Sequence, residues 1–203
     1  MGITERKERQ RAELREQILA AARRIVFDEG FEALTMRKIA DAIEYSPATI
    51  YLHFENREAI GRQLCAETFE HLMAYLAPVS AIADPAERLR AIGRAYARFG
   101  MENPKEYRLL FMTDEKYMEA LFGPAQHEDH EGQRAFDFVV ETVRECVACG
   151  AVAAQDPVLL AETVWASIHG VVSLELTCPH VLDSPVDQIV ETLVVALTRG
   201  LAP

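Results

Sequence analysis

Residues 35–57 read TMRKIADAIEYSPATIYLHFENR, and this stretch decides the fold of the chain. Four apolar side chains in it follow the i, i+3, i+4, i+7 spacing of a buried helix face: Met36, Ile39, Ala40 and Ile43. Ser46 is a favourable N-cap, and Pro47 suits a first helical position because its missing N–H needs no partner there. The stretch therefore predicts two short helices joined by a tight turn, with a third helix beginning after Phe54.

The second of these helices, from Pro47 to about His53, is only two turns long. It can bury Ile50 and Phe54, but four of its residues have no obvious core to join: Ala48, Thr49, Leu52 and His53. A short helix with an exposed face, fixed against a preceding helix, is typical of helix-turn-helix proteins that read DNA.

These residues resemble the N-terminal domain of the TetR family of transcriptional regulators. The matching positions are Thr35, Arg37, Ile39, Ala40, Ser46, Ile50, Tyr51, His53, Phe54 and Arg57 (where lysine is usual), and the resemblance extends upstream through residues 14–29. The turn departs from the family pattern, because Glu44 and Tyr45 stand where glycine and a small aliphatic residue are usual. Either Glu44 adopts a backbone conformation that is uncommon for a residue with a side chain, or the turn differs slightly.

Composition bounds the class of protein. A chain of 203 residues, half of them hydrophobic, is long enough for one large or two small domains. No run of eighteen apolar residues occurs, which argues against a membrane span. The charged N-terminal segment lacks the apolar core of a signal peptide, and four irregularly spaced cysteines do not make a secreted disulfide framework. We expect a cytoplasmic protein.

The net charge of −11 is unusual for a DNA-binding protein, so its distribution matters. Residues 1–60 hold ten Lys and Arg against eleven Asp and Glu, whereas residues 61–203 hold eleven against twenty-one. Residues 1–24 carry seven basic and four acidic side chains. The acidic surplus therefore lies outside the predicted DNA-reading region, and we expect specific binding with modest background affinity for other DNA.

Prolines and glycines punctuate nine or ten helical segments, and strand signals are nearly absent. The apolar run VVSLEL at 171–176 is predicted to be the interior of a buried helix because its flanks are helical. We predict an all-α fold: an N-terminal three-helix helix-turn-helix head with a larger C-terminal helical body. The head is expected at residues 1–55 and the ligand-binding and dimerisation body at 56–203.

The body carries a second resemblance. Residues 165–170 read WASIHG and resemble the W-x-x-x-H-G signature of one TetR C-terminal subfamily, and residues 103–111 resemble another segment of that subfamily. The resemblance implies a ligand-responsive regulator, usually a repressor, that binds a near-palindromic operator as a homodimer and is released by a small molecule. The last two helices would form the dimer interface through their apolar faces, although core burial explains part of these stripes: Leu160, Val164, Ile168, Val171, Ile189, Leu193 and Leu197.

DNA contacts divide into phosphate contacts and base contacts. The resemblance implies phosphate contacts by Thr35, Tyr51, His53 and Arg57; the alternative is that Tyr51 packs and His53 is simply solvated. The reading helix offers no Arg, Lys, Asn or Gln, so we expect Arg37 to make the main hydrogen-bonded base contact. Pro47, Ala48 and Thr49 would contact thymine methyl groups. The predicted DNA-binding set is Thr35, Arg37, Lys38, Ser46, Pro47, Ala48, Thr49, Tyr51, His53 and Arg57.

The first helix is predicted from about Glu8 to Glu29, and the arm at its start carries four basic residues: Arg6, Lys7, Arg9 and Arg11. An arm of this kind can reach a minor groove or phosphates, but a mixed sequence such as ERKERQR equally fits a solvated helix end.

The middle of the chain is rich in aromatic residues and methionine, which suit an adaptable apolar cavity, although core packing explains most of them. The predicted ligand-binding residues are Phe99, Tyr107, Phe111, Met112, Tyr117, Met118, Trp165 and His169. His169 either supplies a polar group to that cavity or satisfies a buried hydrogen bond. The acidic surplus of the body fits a cationic inducer, and it fits solvated helix faces as well.

Two other classes of function remain open. Cys146 and Cys149, or the His and acidic residues at 127–131, could serve a metal- or redox-responsive regulator, but the first pair lacks a βαβ context and the second lacks four visible zinc ligands. A helical enzyme is less favoured, because the sequence holds no nucleophile elbow, phosphate loop, dinucleotide fingerprint or zinc-protease motif. No cofactor is expected.

Overall fold

A computed structural model describes residues 2–122, 131–153 and 156–200. Within these ranges the chain forms α-helices and two short 3-10 helices, Phe31–Ala33 and Ala77–Ala81, and no strand. The α-helices are α1 Ile3–Glu29, α2 Met36–Ala42, α3 Pro47–Tyr51, α4 Arg57–Leu76, α5 Pro85–Glu102, α6 Pro104–Phe111, α7 Glu115–Phe122, α8 Glu131–Ala148, α9 Pro157–Thr177 and α10 Val186–Gly200. The all-α prediction is confirmed, and VVSLEL lies inside α9.

Local capping explains why several helices begin where they do. The Asp84 carboxylate accepts hydrogen bonds from the backbone N–H groups of Ala86 and Glu87, and Asp156 accepts one from Val158. Both acids precede a proline at the first helical position. A capping side chain satisfies a backbone donor that would otherwise lack a partner, and proline carries no donor there.

The first helix is longer than the sequence indicates. It begins at Ile3, so Arg6, Lys7, Arg9 and Arg11 lie within α1 and do not form an extended arm. The backbone N–H of Gly2 donates to the Glu5 carboxylate at 2.7 Å, which supports this early start. The stretch 4–13 is wholly exposed, so no apolar periodicity marks it as helical.

The described residues pack as two compact units. The first comprises residues 2–68 and 108–122. Its core is formed by fully buried aliphatic residues from α1, α2, α3 and α4, among them Ile18, Ile39, Ile50, Ile60 and Leu64. Gly61 permits a close approach, because a Cβ placed there would lie 2.6 Å from the Phe31 ring and 2.8 Å from the Leu121 side chain. α7 therefore packs in the same unit as the helix-turn-helix.

The second unit comprises residues 69–107, 131–153 and 156–200. Helix α5 lies at its centre and packs against α8, α9 and α10. Gly93 is close to Ile168 and Val194, and Gly100 is close to Val172 and Tyr107, so two side-chain-free positions bring α5 near its neighbours. These two units are defined by how the residues pack. The predicted division by function, into a DNA-binding domain at 1–55 and a ligand-binding and dimerisation domain at 56–203, is separate and stays a prediction.

Helix α9 is long and apolar enough, by length and composition, to cross a membrane, which the sequence did not indicate. One such helix is weak evidence for a span, because the core helix of a soluble protein has the same properties. Here α9 packs against α8 and α10 through a stripe of buried residues: Leu160, Ala161, Val164, Ile168 and Val172.

Candidate functional site

Helices α2 and α3 are both fixed by side-chain caps. Thr35 Oγ1 accepts a hydrogen bond from the Lys38 backbone N–H at 3.1 Å, and Ser46 Oγ accepts one from the Thr49 N–H at 3.3 Å. The hydroxyls of Ser46 and Thr49 also lie 3.0 Å apart. These bonds satisfy donors at the helix starts and therefore fix where the reading helix begins.

The turn between α2 and α3 follows the first of the two alternatives that the sequence left open, an uncommon backbone conformation at Glu44. Glu44 has φ of 60°, in the left-handed region that glycine usually occupies. The next residue, Tyr45, donates its N–H to the Ala40 carbonyl at 3.0 Å. The helix-turn-helix thus keeps the left-handed turn and accepts the conformational cost of a glutamate in it.

One side of α3 packs and the other faces solvent. Ile50 is fully buried in the head, which anchors the helix. Six of the predicted DNA-binding residues are exposed: Thr35, Arg37, Ser46, Pro47, Ala48 and Tyr51. Four are half-buried: Lys38, Thr49, His53 and Arg57. The structure therefore brings the predicted set together around α2 and α3, with most of it accessible.

Arg37 has the most freedom among the basic residues of this set. Its side chain is 86% exposed and makes only a long contact of 3.9 Å with Asp41. Surface pairs of this kind contribute little, so DNA can displace this contact readily. Lys38 differs, because its ammonium group pairs with the Glu29 carboxylate.

Arg57 is engaged by other residues of the first unit. Its Nε donates to Glu58 at 2.8 Å, and its guanidinium group lies 5.5 Å from the Tyr117 ring centroid and 5.9 Å from that of Phe31. The hydrogen bond to Glu58 is the main reason that the pKa of Arg57 is raised. A phosphate contact by Arg57 must therefore compete with these partners. Its position in the sequence gives no sign of the contact with α7.

His53 lies beside two arginines of α1. Burial, followed by the charges of Arg11 and Arg15, lowers the pKa of His53 below its ordinary value. The imidazole is therefore neutral near pH 7 in the free protein. Arg15 is itself positioned over the Phe54 ring at 4.2 Å and donates to Gln63 at 2.8 Å.

Two exposed apolar residues belong to this surface as well. Leu52, which the sequence left without a core, is 73% exposed, and Tyr45 is 46% exposed. In the sequence, Tyr45 stands out only as a departure from the family pattern. An aromatic residue at a turn that directly precedes a reading helix is the signal that could have marked it as a surface group.

In the second unit, four aromatic residues of α5, α6 and α9 form one hydrogen-bonded chain. Trp165 Nε1 donates to the Tyr96 hydroxyl at 3.2 Å, and that hydroxyl donates to Tyr107 Oη at 3.1 Å. The Tyr107 hydroxyl lies 2.6 Å from His169 Nδ1, and His169 Nε2 lies 3.2 Å from Ser173 Oγ. Burial lowers the pKa of His169, so a neutral ring that accepts at Nδ1 and donates from Nε2 fits this order.

The predicted ligand-binding residues divide between the two units. Tyr107, Trp165 and His169 meet in the hydrogen-bonded chain of the second unit. Phe99, in the same unit, is fully buried against His71 and Tyr75. The others lie in the first unit: Phe111, Met112, Tyr117 and Met118. Tyr117 is mostly buried there against Phe31, and its hydroxyl donates to Glu32 at 3.1 Å.

The second unit also has an open groove of about 720 Å³ that no pattern in the sequence indicates. Its walls are mostly apolar, and Arg94 and Arg98 lie on one side of it along α5. Both guanidinium groups already have partners: Arg94 binds Glu87 and Glu191, and Arg98 lies over the Tyr75 ring at 5.1 Å. The remaining lining residues are Pro78, Val79, Ala91, Ala95, Ala97, Met101, Glu175, Val186 and Asp187.

The four cysteines are free thiols. Burial raises the pKa of Cys65 to about 12 and that of Cys146 to about 11, so neither forms a thiolate at neutral pH. Cys149 is exposed, and its thiol lies 3.4 Å from the Cys146 carbonyl oxygen. The described part of the chain holds no group of three or more metal-ligating side chains. The segment 127–130 lies outside the described residues.

Comparison with known proteins agrees with this architecture. Residues 18–64 match the family described as "Bacterial regulatory proteins, tetR family", and residues 89–197, more than half of the chain, match "Tetracyclin repressor-like, C-terminal domain". The first range contains α2, the turn and α3. The second contains the hydrogen-bonded chain and the faces of α9 and α10.

Individual relatives are more distant. The chain is 30% identical over 105 residues to the HTH-type transcriptional activator FasR of Mycolicibacterium smegmatis, an alignment that covers 51% of this chain and 48% of FasR. The chain spans about half or less of the length of the curated relatives that it matches. Among solved structures, a Rhodococcus sp. RHA1 protein of unknown function has a TM-score of 0.72 at 25% identity, covering 94% of this chain and 96% of that one.

A second solved structure is the TetR family transcriptional regulator PfmR of Thermus thermophilus. It has a TM-score of 0.64 at 21% identity, covering 92% of this chain and 99% of PfmR, and at this identity the likeness concerns the fold. The finer resemblance to the W-x-x-x-H-G subfamily stays a prediction. Both family matches fall on the elements described above, and the chain belongs to the tetR family of bacterial regulatory proteins, which are transcriptional regulators and not enzymes.

Proposed function

We propose that this protein is a ligand-responsive, cytoplasmic transcriptional regulator that binds a near-palindromic operator as a homodimer and is released from it by a small molecule. Residues 1–55 form the DNA-binding domain, and residues 56–203 form the ligand-binding and dimerisation domain. The observation that carries the proposal is the capped, exposed reading helix α3, anchored by Ile50, within a segment that matches the tetR family.

On DNA, Arg37 makes the main hydrogen-bonded base contact. Its 86% exposed side chain and weak contact with Asp41 support this role, because little must be broken before it reaches a base edge. Pro47, Ala48 and Thr49 contact thymine methyl groups. The Thr49 hydroxyl is already beside the Ser46 cap, which favours its methyl group for readout.

Phosphate contacts come from the surrounding residues, namely Thr35, Lys38, Ser46, Tyr51, His53 and Arg57. Tyr51 is 56% exposed, which supports a role outside the core. Lys38 and Arg57 must exchange an acidic partner for a phosphate, so their net contributions are expected to be smaller than that of a cation without such a partner.

The dimer forms through α9 and α10. On α9, Leu160, Val164 and Ile168 are buried within one protomer, so they contribute mainly to its own core. The half-buried remainder of the stripe supports an interface: Val171, Ile189, Leu193 and Leu197. A shallow groove of about 380 Å³ follows the face of α10 that holds Ile189 and Leu193. A two-fold dimer would cover this face and present two reading heads to one palindrome.

The ligand binds in the body beside the aromatic residues predicted from the sequence. Trp165 is 39% exposed while its indole N–H is bonded, so a ligand can contact the ring without breaking that bond. Trp165 is the only tryptophan of the chain, so ligand binding at this position would change the fluorescence of the protein. A compound that releases operator DNA should quench or shift that emission. Trp165→Phe should raise the concentration of the compound that is needed to release a labelled operator, because it changes the ring that the ligand contacts and removes the bond to Tyr96.

The sign of regulation needs its own test. Repression is the usual mode implied by the family resemblance, whereas FasR is named an activator. Transcription from a promoter that overlaps the selected operator, measured with and without the purified protein, distinguishes the two. A decrease supports repression, and an increase assigns activation to this chain.

The DNA-binding role is tested by selection from random duplexes, followed by substitution of Arg37. Arg37→Ala should weaken operator binding by about 1–3 kcal/mol and relax preference at one position per half-site. Arg24→Ala is the matched control, because Arg24 is also an exposed arginine of the head but lies on α1. An equal loss on operator and random DNA would make Arg37 a phosphate contact. No effect at all would contradict its proposed role.

A further inference from the structure

The first three turns of α1 extend beyond the core of the head. Residues 4–13 are exposed, and the first buried residue of α1 is Ile18. From there the buried face continues through Ala22 and Ile25, at the spacing of one helix side. Traced backwards from Ile18 by the same three- and four-residue steps, this face passes Leu14 and Arg15 and then reaches Arg11 and Lys7.

The extension therefore carries basic side chains where the packed part of α1 carries apolar ones. Lys7, Arg11 and Arg15 stand four residues apart, within an arc of about 80° around the helix axis. The acidic residues Glu5, Glu13 and Glu16 lie on the other side, and Glu8 borders the basic face. We call Lys7, Arg11 and Arg15 the basic stripe.

The basic stripe begins at the end of the reading helix. Arg15 lies 4.2 Å from the Phe54 ring centroid, and Phe54 directly follows His53 at the end of the helix-turn-helix motif. Arg11 acts electrostatically on His53 together with Arg15, which indicates that Arg11 also lies near this point. Thus the predicted phosphate contacts at Tyr51 and His53 are continuous with a row of cations on α1.

Lys7 and Arg11 are exposed, and neither has an ion-pair partner within the described residues, in contrast to Arg9, which contacts Glu13 at 3.6 Å. Lys7 and Arg15 are separated by about 12 Å along the helix. That length of duplex axis carries about seven phosphates. A row of unneutralised cations that continues a DNA-facing surface fits the sugar-phosphate backbone of the same duplex.

We propose that the basic stripe is a second DNA contact, in which Lys7 and Arg11 bind phosphates next to those held by the helix-turn-helix. This inference rests on the proposed DNA-binding function. The N-terminal part of α1 then contacts the DNA backbone and takes no part in base readout. These contacts raise the affinity for DNA and its dependence on salt, and they leave the sequence preference unchanged.

The test compares two double variants of the full-length protein on the selected operator. Lys7→Gln with Arg11→Gln removes two charges of the basic stripe, and Arg6→Gln with Arg9→Gln removes two charges from elsewhere on the same exposed turns. All four residues are exposed, so neither variant should change helix content or thermal stability. Affinity is measured from about 0.05 to 0.3 M salt by fluorescence anisotropy, with operator and scrambled duplexes.

The stripe variant should bind operator about ten- to a hundredfold more weakly at about 0.15 M salt. Its log–log salt slope should fall by about 3 to 4 for a dimer, because four phosphate contacts are lost. The control variant should stay within about threefold of wild type. The ratio of operator to scrambled affinity should be similar in all three proteins.

Three results would overturn the inference. Equal losses in both variants would show a general charge effect and no defined contact. Unchanged affinity in the stripe variant would show that the stripe lies away from the DNA. Selective loss of binding to phosphatidylglycerol vesicles, with operator affinity intact, would assign the stripe to a membrane surface. If the wild-type protein selects no duplex, the proposed function fails first, and that failure is distinct from these three.

Discussion

Replacing Glu44 tests whether the left-handed turn of the helix-turn-helix costs stability. Glu44 has φ of 60°, is exposed and makes no hydrogen bond or ion pair within the described residues. Glu44→Ala therefore removes a charge and keeps the strained backbone. Glu44→Gly removes the same charge and relieves the strain, so the difference between the two variants isolates the backbone term.

The expected magnitude follows from two opposing effects. The left-handed conformation costs a residue with a side chain roughly 1–2 kcal/mol of folding free energy. Glycine avoids this cost, but it destabilises the folded state by about 0.5–1 kcal/mol because the unfolded chain has more conformational freedom at a glycine. Glu44→Gly should therefore be about 0.5–1 kcal/mol more stable than Glu44→Ala, which corresponds to a rise of about 1–4 °C in Tm for a chain of this size.

The assay is urea and thermal unfolding followed by far-ultraviolet circular dichroism, which reports helix content. Tryptophan emission is unsuitable, because Trp165 lies in the second unit while Glu44 lies in the first. Both variants should bind the operator with similar affinity, since the turn geometry is kept. If Glu44→Gly were equal to or less stable than Glu44→Ala, the left-handed conformation of this residue would be refuted.

Three further predictions follow from packing and protonation. Gly61→Ala should destabilise the first unit by about 1–3 kcal/mol, because its Cβ would lie 2.6 Å from the Phe31 ring. Gly170→Ala, with nothing within 4 Å, should leave the stability of the protomer unchanged or higher, and chemical denaturation measures both. His169 has a lowered pKa in the folded state, so the unfolded chain binds the extra proton and stability is lost as pH falls below about 6.5. The His169→Gln variant should be less stable than the wild type at about pH 8. Thermal unfolding measured at several pH values should show that the variant loses less stability than the wild type between about pH 7 and 5. A thiol reagent should modify the exposed Cys149 and Cys178 readily in the native protein, and it should reach the buried Cys65 and Cys146 only after unfolding. Mass spectrometry counts the modified cysteines, and rapid modification of Cys146 in the native protein would contradict its burial.

The sequence predicted those parts of the fold that depend on local chemistry. The predicted helix start after Ser46 was correct, because a cap and its backbone donor lie within three residues of each other. The sequence left two alternatives for the turn at Glu44, and the structure has the left-handed conformation, which was one of them. The α2 stripe was also largely correct, since Met36, Ile39 and Ala40 are buried and Ile43 is half-buried.

Other features depend on contacts between distant residues and could not be predicted. Arg57 is engaged by Tyr117, sixty positions away, and no local pattern marks that pairing. The chain from Trp165 through Tyr96 and Tyr107 to His169 likewise requires three helices to meet. Helix α1 began earlier than predicted because its first turns are stabilised by side-chain and backbone bonds on an exposed, charged surface, where hydrophobic periodicity gives no signal.

The binding preference of the purified protein for its selected duplex tests the central claim most directly. Anisotropy titrations at about 0.05 and 0.2 M salt should compare that duplex with a scrambled one of the same length and composition. The proposed function predicts a palindromic operator bound by a dimer, with a preference of at least about a thousandfold that survives the higher salt. Equal affinity for the two duplexes, or binding that vanishes for both as the salt rises, would contradict a sequence-specific regulator.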